Sequence, residues 1–462
     1  MVSSTFLFVL LSASTIHAAL PSKAKSTCSQ FKSTLANITI LPNDPTYQAL
    51  ATENWSATAW AKPTCIVQPG NVAQTQQIVA ALTKNGVPFA MRSGGHMPSP
   101  LGANINDGVL IDLVSLNRID YDAIKNVVTI GAGLRWGQVY SELEKYKVTV
   151  VGGRVLDVGV SGLTLGSKRL FSSLLWCLLT WLWALKGGLN NFGLVTSFTL
   201  KTYPIYQVWG GVKFYNFTDL PKLLQAANKY QSTPTKDPYA NFMMQAFPTN
   251  QSIGVVLNMV YLKPEASPPA FAPFYEIPTI ADTTKIQTLR EMMSGQGVPD
   301  IPRWDWRTTS FTPSEDLYKK IGSLVTTSPE VKTIGSLNAG SLALGLQPIS
   351  TSLVDAGIAR GGNALGLDRT NQTWWVLDTG HWLAKDDSVA HEATKSLMAK
   401  IDKAIDQEDS NIDYRFMSDA SWDQDVLASY GADNVAKLKK VRAKYDPGLV
   451  FTYIVPGGFK LR

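Results

Sequence analysis

The chain is poor in cysteine, in histidine and in clustered charge. Of its 462 residues, three are Cys and four are His, and the formal net charge is only +6. No run of five or more like charges occurs, and no finger or stacking-aromatic motif accompanies the densest basic segment, VAKLKKVRAKYDP. That segment has apolar residues at helical spacing, which indicates a helix with a solvated basic face. We therefore predict neither nucleic-acid binding nor a metal site.

Long hydrophobic runs are also missing. The longest uncharged stretch near the middle, Leu170 to Leu185, is shorter than the roughly 20 residues needed to span a membrane, so no membrane segment is predicted. At the N-terminus an apolar core, Phe6 to Leu11, precedes small residues ending near Ala19. This pattern predicts a signal peptide over residues 1–19 and a secreted protein, although the usual Lys or Arg before the core is absent. The alternative is an ordinary buried segment.

Features expected of a secreted chain occur elsewhere. Cys28 and Cys65 could form one disulfide, which would leave Cys177 unpaired, or both could be free buried thiols. Glycosylation sequons N-x-[ST] occur at Asn37, Asn54, Asn216, Asn250 and Asn371.

The composition that remains is that of a globular protein. Hydrophobic residues make up 45% of the chain and aromatic residues 10%, which is too rich for disorder. In the first two hundred residues, NVAQTQQIVAALTKNG and RWGQVYSELEKY predict helices, and VPFAMR, GVLIDL and NVVTIGAG predict strands. Alternation of strands and helices favours an α/β or α+β fold.

The pattern changes near Tyr206. The segments QVWGGVKFYNF, ANFMMQAF, IGVVLNMVYL and QTWWVLDTGHWL predict strands, with helices at DLPKLLQAANKYQ and at 389–407. We expect a second domain, a mainly antiparallel sheet with helices on one face. The proline-rich KPEASPPAFAPF predicts a loop, and the last forty residues predict a helix and a Gly–Pro-rich tail.

Three clusters of glycine crowd the first domain, at Gly94–Gly95, at Gly131 to Gly137 and at Gly152 to Gly166. Glycine lets backbone N–H groups approach a ligand closely, so converging loops could hold phosphates; tight turns between strands are the alternative. GAGLRWG does not have the G-x-G-x-x-G spacing of a dinucleotide fingerprint, which disfavours a nicotinamide dehydrogenase.

Several segments in order carry a family resemblance: MRSGGHMPSP, GVLIDLVSLNRIDYD, VTIGAGLRWGQVYSEL, VGGRVLDVGVSGLTLG, WALKGGLNNFGLVTSFTLKTYP and YGADNVAKLKKVRAKYDPGLVFTYIVPGGFKL. Together they resemble the FAD-linked oxidases of the berberine-bridge-enzyme-like group, over Thr64 to Lys460. The resemblance implies an α+β protein: a PCMH-type (vanillyl-alcohol-oxidase-like) FAD-binding domain of two α/β subdomains, and a substrate domain with an antiparallel sheet covered by helices. The expected boundaries are 20–205 for the FAD-binding domain, 206–415 for the substrate domain and 416–462 for a segment returning to the first.

The resemblance also implies function. Such enzymes pass hydride from a C–H next to oxygen or nitrogen to flavin, and dioxygen is reduced to hydrogen peroxide. We expect a small-molecule substrate, a carbohydrate or secondary metabolite, and a monomer. In the family, the His of R-S-G-G-H, here His96, is covalently attached to FAD, and a neutral imidazole can act as that nucleophile. Further flavin neighbours are expected at Arg92, Ser93, Gly94, Gly95, Gly153, Val160, Gly162, Gly188, Gly193 and Val195.

The sequence departs from the family between Gly166 and Trp183. Relatives have a longer interval here, with a Gly-rich turn and a Cys-Asp-Asn-type motif that can supply a second flavin attachment. Cys177 lies in this interval, but its neighbours do not match, and an inert buried Cys is the alternative. We interpret the interval as truncated or mis-joined, with loss of flavin-domain strands; a buried helix is the alternative. An inactive secreted remnant without flavin is therefore an alternative to an oxidase.

A second departure affects the catalytic base. Many relatives have Tyr-x-Asn where this chain has Phe416, and phenylalanine cannot accept a proton. The nearest phenol is Tyr414, expected on the same strand face. Asp378 is a second candidate, and His381 and Trp382 are further candidate groups of the substrate domain on the same strand. The alternative for these three is a structural strand with alternating exposed polar residues. Trp304 and Trp306 could line a sugar-binding face, or could pack in the core.

Overall fold

Two sheets lie in the first part of the chain. The structure, a computed structural model, describes residues 10–166, 179–295 and 299–462. The N-terminal sheet has the order β1 (Thr39–Ile40), β2 (Cys65–Val67), β4 (Val109–Asp112), β3 (Phe89–Arg92), with β2 and β3 parallel to β4. The small sheet is antiparallel and consists of β5 (Ile119–Asp122), β6 (Val127–Gly131) and β7 (Ser197–Lys201). Within the described ranges β7 is an edge strand.

A large antiparallel sheet forms the second part. Its strands are β8 (Gln207–Tyr215), β9 (Ala240–Ala246), β10 (Val255–Tyr261), β11 (Ala281–Asp282), β12 (Lys285–Thr288), β13 (Arg303–Phe311), β14 (Ser341–Ile349), β15 (Gln372–His381) and β16 (Asn411–Ile412). Their order is β11-β8-β10-β9-β14-β15-β13-β16, and β12 pairs with β8.

The helices of the first part are α1 (Leu10–Thr34), α2 (Tyr47–Ala51), α3 (Val72–Asn85), α4 (Trp136–Glu144), α5 (Val160–Gly166) and α6 (Leu179–Leu185). Those of the second part are α7 (Leu220–Ser232), α8 (Ala272–Tyr275), α9 (Leu289–Ser294), α10 (Glu315–Thr327), α11 (Pro329–Gly335), α12 (Thr351–Ile358), α13 (Asp387–Gln407) and α14 (Ala432–Tyr445). No helix in the described ranges is long and apolar enough to cross a membrane.

The large sheet has two different faces because side chains alternate along each strand. One face carries Trp375, Leu377 and Leu346, which pack in a core with apolar residues of α7, α10 and α13. The other face we call the inner face; its residues include Trp306, Ala343, Gln347, Trp374 and Asp378. Trp374 belongs to the core of the first part of the chain, so the inner face packs against that part.

Most predicted elements are confirmed because their signals are local. Helix α3 begins after Asn71, whose side chain accepts the N–H of Gln74, and ends at Gly86 with φ 62°. The predicted disulfide is also confirmed: Cys28 on α1 is bonded to Cys65 on β2. The proline-rich loop is only partly a loop, since Ala272–Tyr275 is helical, with Pro273 in its first turn, where proline is tolerated.

Candidate functional site

The loop that follows β3 is fixed by direct contact between two glycines. A Cβ on Gly94 would lie 2.2 Å from the backbone nitrogen of Gly159, and a Cβ on Gly159 would lie 2.1 Å from that of Gly94. Gly95 adopts φ 66°, in the left-handed region that favours glycine. These positions therefore require glycine for backbone approach and for conformation.

Hydrogen bonds tie this loop to two others. The hydroxyls of Ser93 and Ser161 both donate to the carbonyl oxygen of Ala132, at 2.7 and 2.8 Å. Arg135 Nη1 donates to the carbonyl oxygens of Gly94 and Asp157, at 3.1 and 2.6 Å. The three glycine clusters seen in the sequence thus converge.

His96 projects from this junction. Its Nε2 lies 3.2 Å from Asp157 Oδ2, and its ring stacks on Trp55 at 5.1 Å with an interplanar angle of 7°. Its side chain is only 12% exposed. The hydrogen bond from His96 and the positive charge of Arg135, 3.0 Å away, lower the pKa of Asp157 against the opposing effect of burial. Within the described ranges Nδ1 of His96 has no hydrogen-bond partner.

Trp55 connects His96 to the large sheet. Its backbone N–H donates to Gly95, and its ring lies 5.3 Å from each of the rings of Trp304 and Trp306. Trp306 is the cross-strand neighbour of Asp378 on the inner face. A chain of contacts therefore runs from His96 through Trp55 and Trp306 to Asp378.

A polar network crosses from the glycine loops to the inner face. Arg154 Nη2 donates to Gln347 Oε1 at 2.8 Å, and Gln347 Nε2 donates to Asp419 Oδ2 at 2.7 Å. Asp419 also acts electrostatically on Asp378: burial, followed by this negative charge, raises the pKa of Asp378 well above its usual range. The inner face thus holds a carboxyl group that ionises less readily than a solvated one.

The chain is similar to known FAD-binding proteins. Residues 63–168 match the model of an FAD binding domain. The chain is 31% identical over 467 residues to the bifunctional solanapyrone synthase of Alternaria solani, covering 94% of this chain and 88% of that protein. The chain belongs to the berberine-bridge-enzyme-like family of FAD-linked oxidoreductases.

Solved structures show the same fold at low identity. The BBE-like 1 protein of Physcomitrella patens superposes with a TM-score of 0.75 at 17% identity, covering 92% of this chain and 97% of that one. Glucooligosaccharide oxidase from Acremonium strictum, described as carrying a 6-S-cysteinyl, 8α-N1-histidyl FAD, gives 0.74 at 15% identity, covering 95% and 99%. The predicted α+β fold class and the predicted family are confirmed.

The residues present fit FAD as a family ligand. A Cβ on Gly162, in the first turn of α5, would meet nothing within 4 Å, so open space borders the glycine loops there. On the inner face and beside it, three buried polar atoms have no partner in the described part of the chain: Trp306 Nε1, Ser310 Oγ and Tyr414 Oη. Each such atom costs roughly 1–3 kcal/mol unless a ligand or water satisfies it.

The other predicted flavin neighbours occupy different environments. The guanidinium of Arg92 is 1% exposed and pairs with Asp112 and Glu53, so it supports the loop from behind. A Cβ on Gly153 would lie 2.5 Å from the ring of Trp136, and one on Gly188 would lie 2.3 Å from the ring of Phe192. Val160 is buried, Val195 is half-buried, and a Cβ on Gly193 would meet nothing within 4 Å. Their contacts with flavin stay predictions.

The predicted catalytic residues do not all come together. Tyr414 is 1% exposed, follows the end of β16 rather than lying on a strand, and packs against Trp374 with ring centroids 4.9 Å apart. Burial raises its pKa well above the usual range. Phe416 also stacks on Trp374, at 4.7 Å. Tyr414 and Phe416 thus both pack against Trp374. The prediction that Tyr414 lies on a strand is wrong, because β16 ends at Ile412.

His381 does not join Asp378. The two residues are three apart on β15, so their side chains point to opposite faces. His381 Nε2 instead lies 2.8 Å from Asp387, which also binds Arg303, and Trp382 is half exposed. Trp304 is 5% exposed and donates to the carbonyl of Ile301, as in core packing. Cys177 lies outside the described residues.

Sequence reasoning missed several members of the site. These are Trp55, Arg135, Arg154, Asp157, Gln347 and Asp419. Asp157 lies in VGGRVLDVGVSGLTLG, where an acidic residue inside a glycine-rich motif is a signal that the sequence offers. The others depend on contacts between distant segments: Arg154 and Gln347 are 193 positions apart.

Proposed function

We propose that the protein is a secreted FAD-dependent oxidase of a small secondary metabolite or carbohydrate. Hydride would leave a C–H next to oxygen or nitrogen of the substrate, and dioxygen would be reduced to hydrogen peroxide. One observation carries the proposal: Trp55 contacts both His96 and Trp306, the neighbour of Asp378. The loop that would bind flavin and the half-buried carboxyl group of Asp378 therefore lie on either side of Trp55 and Trp306.

The proposal includes covalent attachment of FAD through His96. Bound there, FAD would supply the hydride acceptor. Asp157 occupies Nε2 of His96, which leaves Nδ1 as the nucleophile. This is the nitrogen called N1 in the histidyl FAD of glucooligosaccharide oxidase. Flavin retained through acid precipitation by the wild-type protein, but not by H96A, would support attachment.

Asp378 is the better candidate for the proton acceptor. It lies on the inner face beside Trp306, and a carboxyl group whose pKa is raised by burial and by the charge of Asp419 is a stronger base once ionised. Tyr414 lies behind Trp374, and burial makes its phenol harder to ionise. We therefore propose that Asp378 removes the substrate proton and that Gln347 positions Asp419 beside it.

The inner face favours a small, largely apolar substrate. Trp306, half-buried on the inner face, and Trp55, whose ring lies 5.3 Å from it, supply apolar surface beside Asp378. A relative with 31% identity is a solanapyrone synthase, whereas the resemblance to glucooligosaccharide oxidase, at 15%, concerns the fold. A screen of phenols, secondary alcohols and oligosaccharides, read as peroxide released, would test the substrate class.

A second candidate is an inactive remnant that binds no flavin. The observation favouring it is β7, an edge strand in the described part of the chain, which exposes unpaired backbone groups soon after the atypical interval. Purified protein separates the two candidates: the oxidase is yellow and releases peroxide with some substrate, and the remnant is colourless and releases none.

Secretion is supported by the Cys28–Cys65 disulfide, because such bonds persist in oxidising compartments. We propose a monomeric glycoprotein whose partners are its small-molecule substrate and dioxygen.

The five glycosylation sequons differ in exposure. Asn54 is 2% exposed, and Asn371 donates its side-chain amide to Gln231. Asn37, Asn216 and Asn250 are exposed.

A further inference from the structure

We infer that Asp157 is a positioning residue that prepares His96 for attachment of FAD. The inference rests on the proposed attachment through His96. Asp157 binds Nε2 and so fixes the proton on that nitrogen, which leaves the lone pair of Nδ1 free. A histidine without this partner would exchange its proton between the two nitrogens.

Two contacts fix the orientation of the imidazole ring. Trp55 stacks on its face at 5.1 Å, nearly parallel, and Asp157 holds one edge at 3.2 Å. Stacking restricts the plane of the ring, and the hydrogen bond restricts its rotation about the Cβ–Cγ bond. Nδ1 is thereby directed away from Asp157.

Arg135 in turn holds Asp157. Its Nη1 lies 3.0 Å from Asp157 Oδ1 and donates to the carbonyl oxygens of Asp157 and of Gly94, two residues before His96. Its Nη2 binds Glu53, which also pairs with Arg92. One guanidinium therefore links the segment that carries the carboxylate to the segment that carries the histidine.

The arrangement suits the attachment reaction. With FAD bound, a bond would form between Nδ1 and the carbon of the flavin C8 methyl group, and that carbon would give up one hydrogen as a proton. The imidazole would give up its Nε2 proton in the direction of Asp157, and the flavin would take up two electrons. Dioxygen would then accept the two electrons with two protons and leave as hydrogen peroxide. Asp157 stabilises the positive charge that develops on the imidazole, as carboxylates paired with histidine do.

Asp157 can be replaced without unfolding the protein. Asp157 is 63% exposed, and exposed pairs contribute little to stability. Replacement of Asp157 should therefore leave folding intact, which allows its effect on attachment to be measured separately. Asp120 provides a matched control, because it is also exposed and pairs with an arginine, Arg118.

The test uses the full-length secreted protein, produced under riboflavin limitation and then mixed with FAD. Covalent flavin is measured against time as fluorescence in denaturing gels, and reversible FAD binding is measured by filtration before attachment proceeds. We expect D120N to match wild type, D157N to attach flavin at least about 10-fold more slowly with reversible binding within about 3-fold, and D157E to recover part of the rate.

The outcomes distinguish the inference from the proposal beneath it. If wild type never attaches flavin, the proposed covalent link is wrong. If wild type attaches flavin and D157N does so at the rate of D120N, only the role of Asp157 is overturned. Loss of reversible FAD binding in both D157N and D157E would also overturn it, because Asp157 would then be needed for the fold of the loop.

Discussion

Replacing Gly94 with alanine is expected to damage the protein before any ligand binds. The new Cβ would lie 2.2 Å from the backbone nitrogen of Gly159 and 2.5 Å from its Cα, whereas ordinary contacts begin at 3.4 Å. Two backbone segments must therefore separate by about 1 Å, and no flexible side chain can absorb the overlap. Overpacking of this kind costs roughly 1–3 kcal/mol, and more where backbone must move.

The contrasting variant is G162A. Gly162 lies in α5, where alanine is favoured over glycine by roughly 0.5–1 kcal/mol, and the added methyl group meets nothing within 4 Å. Flavin-free G162A should therefore be at least as stable as wild type. If the open space receives FAD, the methyl group should weaken FAD binding.

Thermal melting of the flavin-free protein, followed by circular dichroism, measures the stability of G94A and G162A. FAD titration measures the FAD affinity of G162A. G357A is a suitable control, because Gly357 lies on α12 and its added Cβ would make only an ordinary contact, at 3.6 Å. We expect the melting temperature to fall by several degrees for G94A and not for G162A or G357A. An unchanged melting temperature for G94A would refute the close approach of the two loops.

Further predictions concern catalysis, glycans and the disulfide. D378N should lower kcat by about 10²–10⁴-fold while flavin stays bound, and Y414F should lower it less. Only the ionised form of Asp378 can act as the base, and its pKa is raised. As the pH is lowered, wild-type kcat should therefore begin to fall at a higher pH than the ordinary pKa of aspartate, which a pH profile of kcat would show. Mass spectrometry of peptides should find glycans at Asn37, Asn216 and Asn250 and not at Asn54 or Asn371; a glycan at Asn54 would contradict its burial. C28S/C65S should lose roughly 2–5 kcal/mol of stability in denaturant unfolding, and unchanged stability would count against the bond.

The sequence predicted elements whose signals lie within a few residues. Helix α3 has its cap residues Asn71 and Gly86, and strands β3 and β4 are short apolar runs, so local pattern was sufficient. The three glycine clusters likewise indicated loops that could converge, because glycine permits close approach of backbone segments. Grouping Asp378 with His381 failed because the alternation of a strand separates residues three apart.

The rest of the site depends on long-range packing. Trp55 reaches both His96 and β13 only because the chain folds the N-terminal segment against a strand about 250 positions later, where Trp304 donates its N–H to Ser56. The link from Arg154 through Gln347 to Asp419 similarly joins three distant segments. No periodicity or spacing in the sequence records such contacts.

The most direct test of the account is peptide mapping of the purified protein after trypsin digestion. Cleavage after Arg92 and Arg118 releases a peptide, 93–118, whose only histidine is His96. The account predicts that this peptide carries the flavin, with a mass increased by FAD less two hydrogens, and that H96A lacks the adduct. Two results would contradict the attachment to His96. One is an unmodified peptide 93–118 from a protein that contains flavin, and the other is flavin found only on the peptide that contains Cys177.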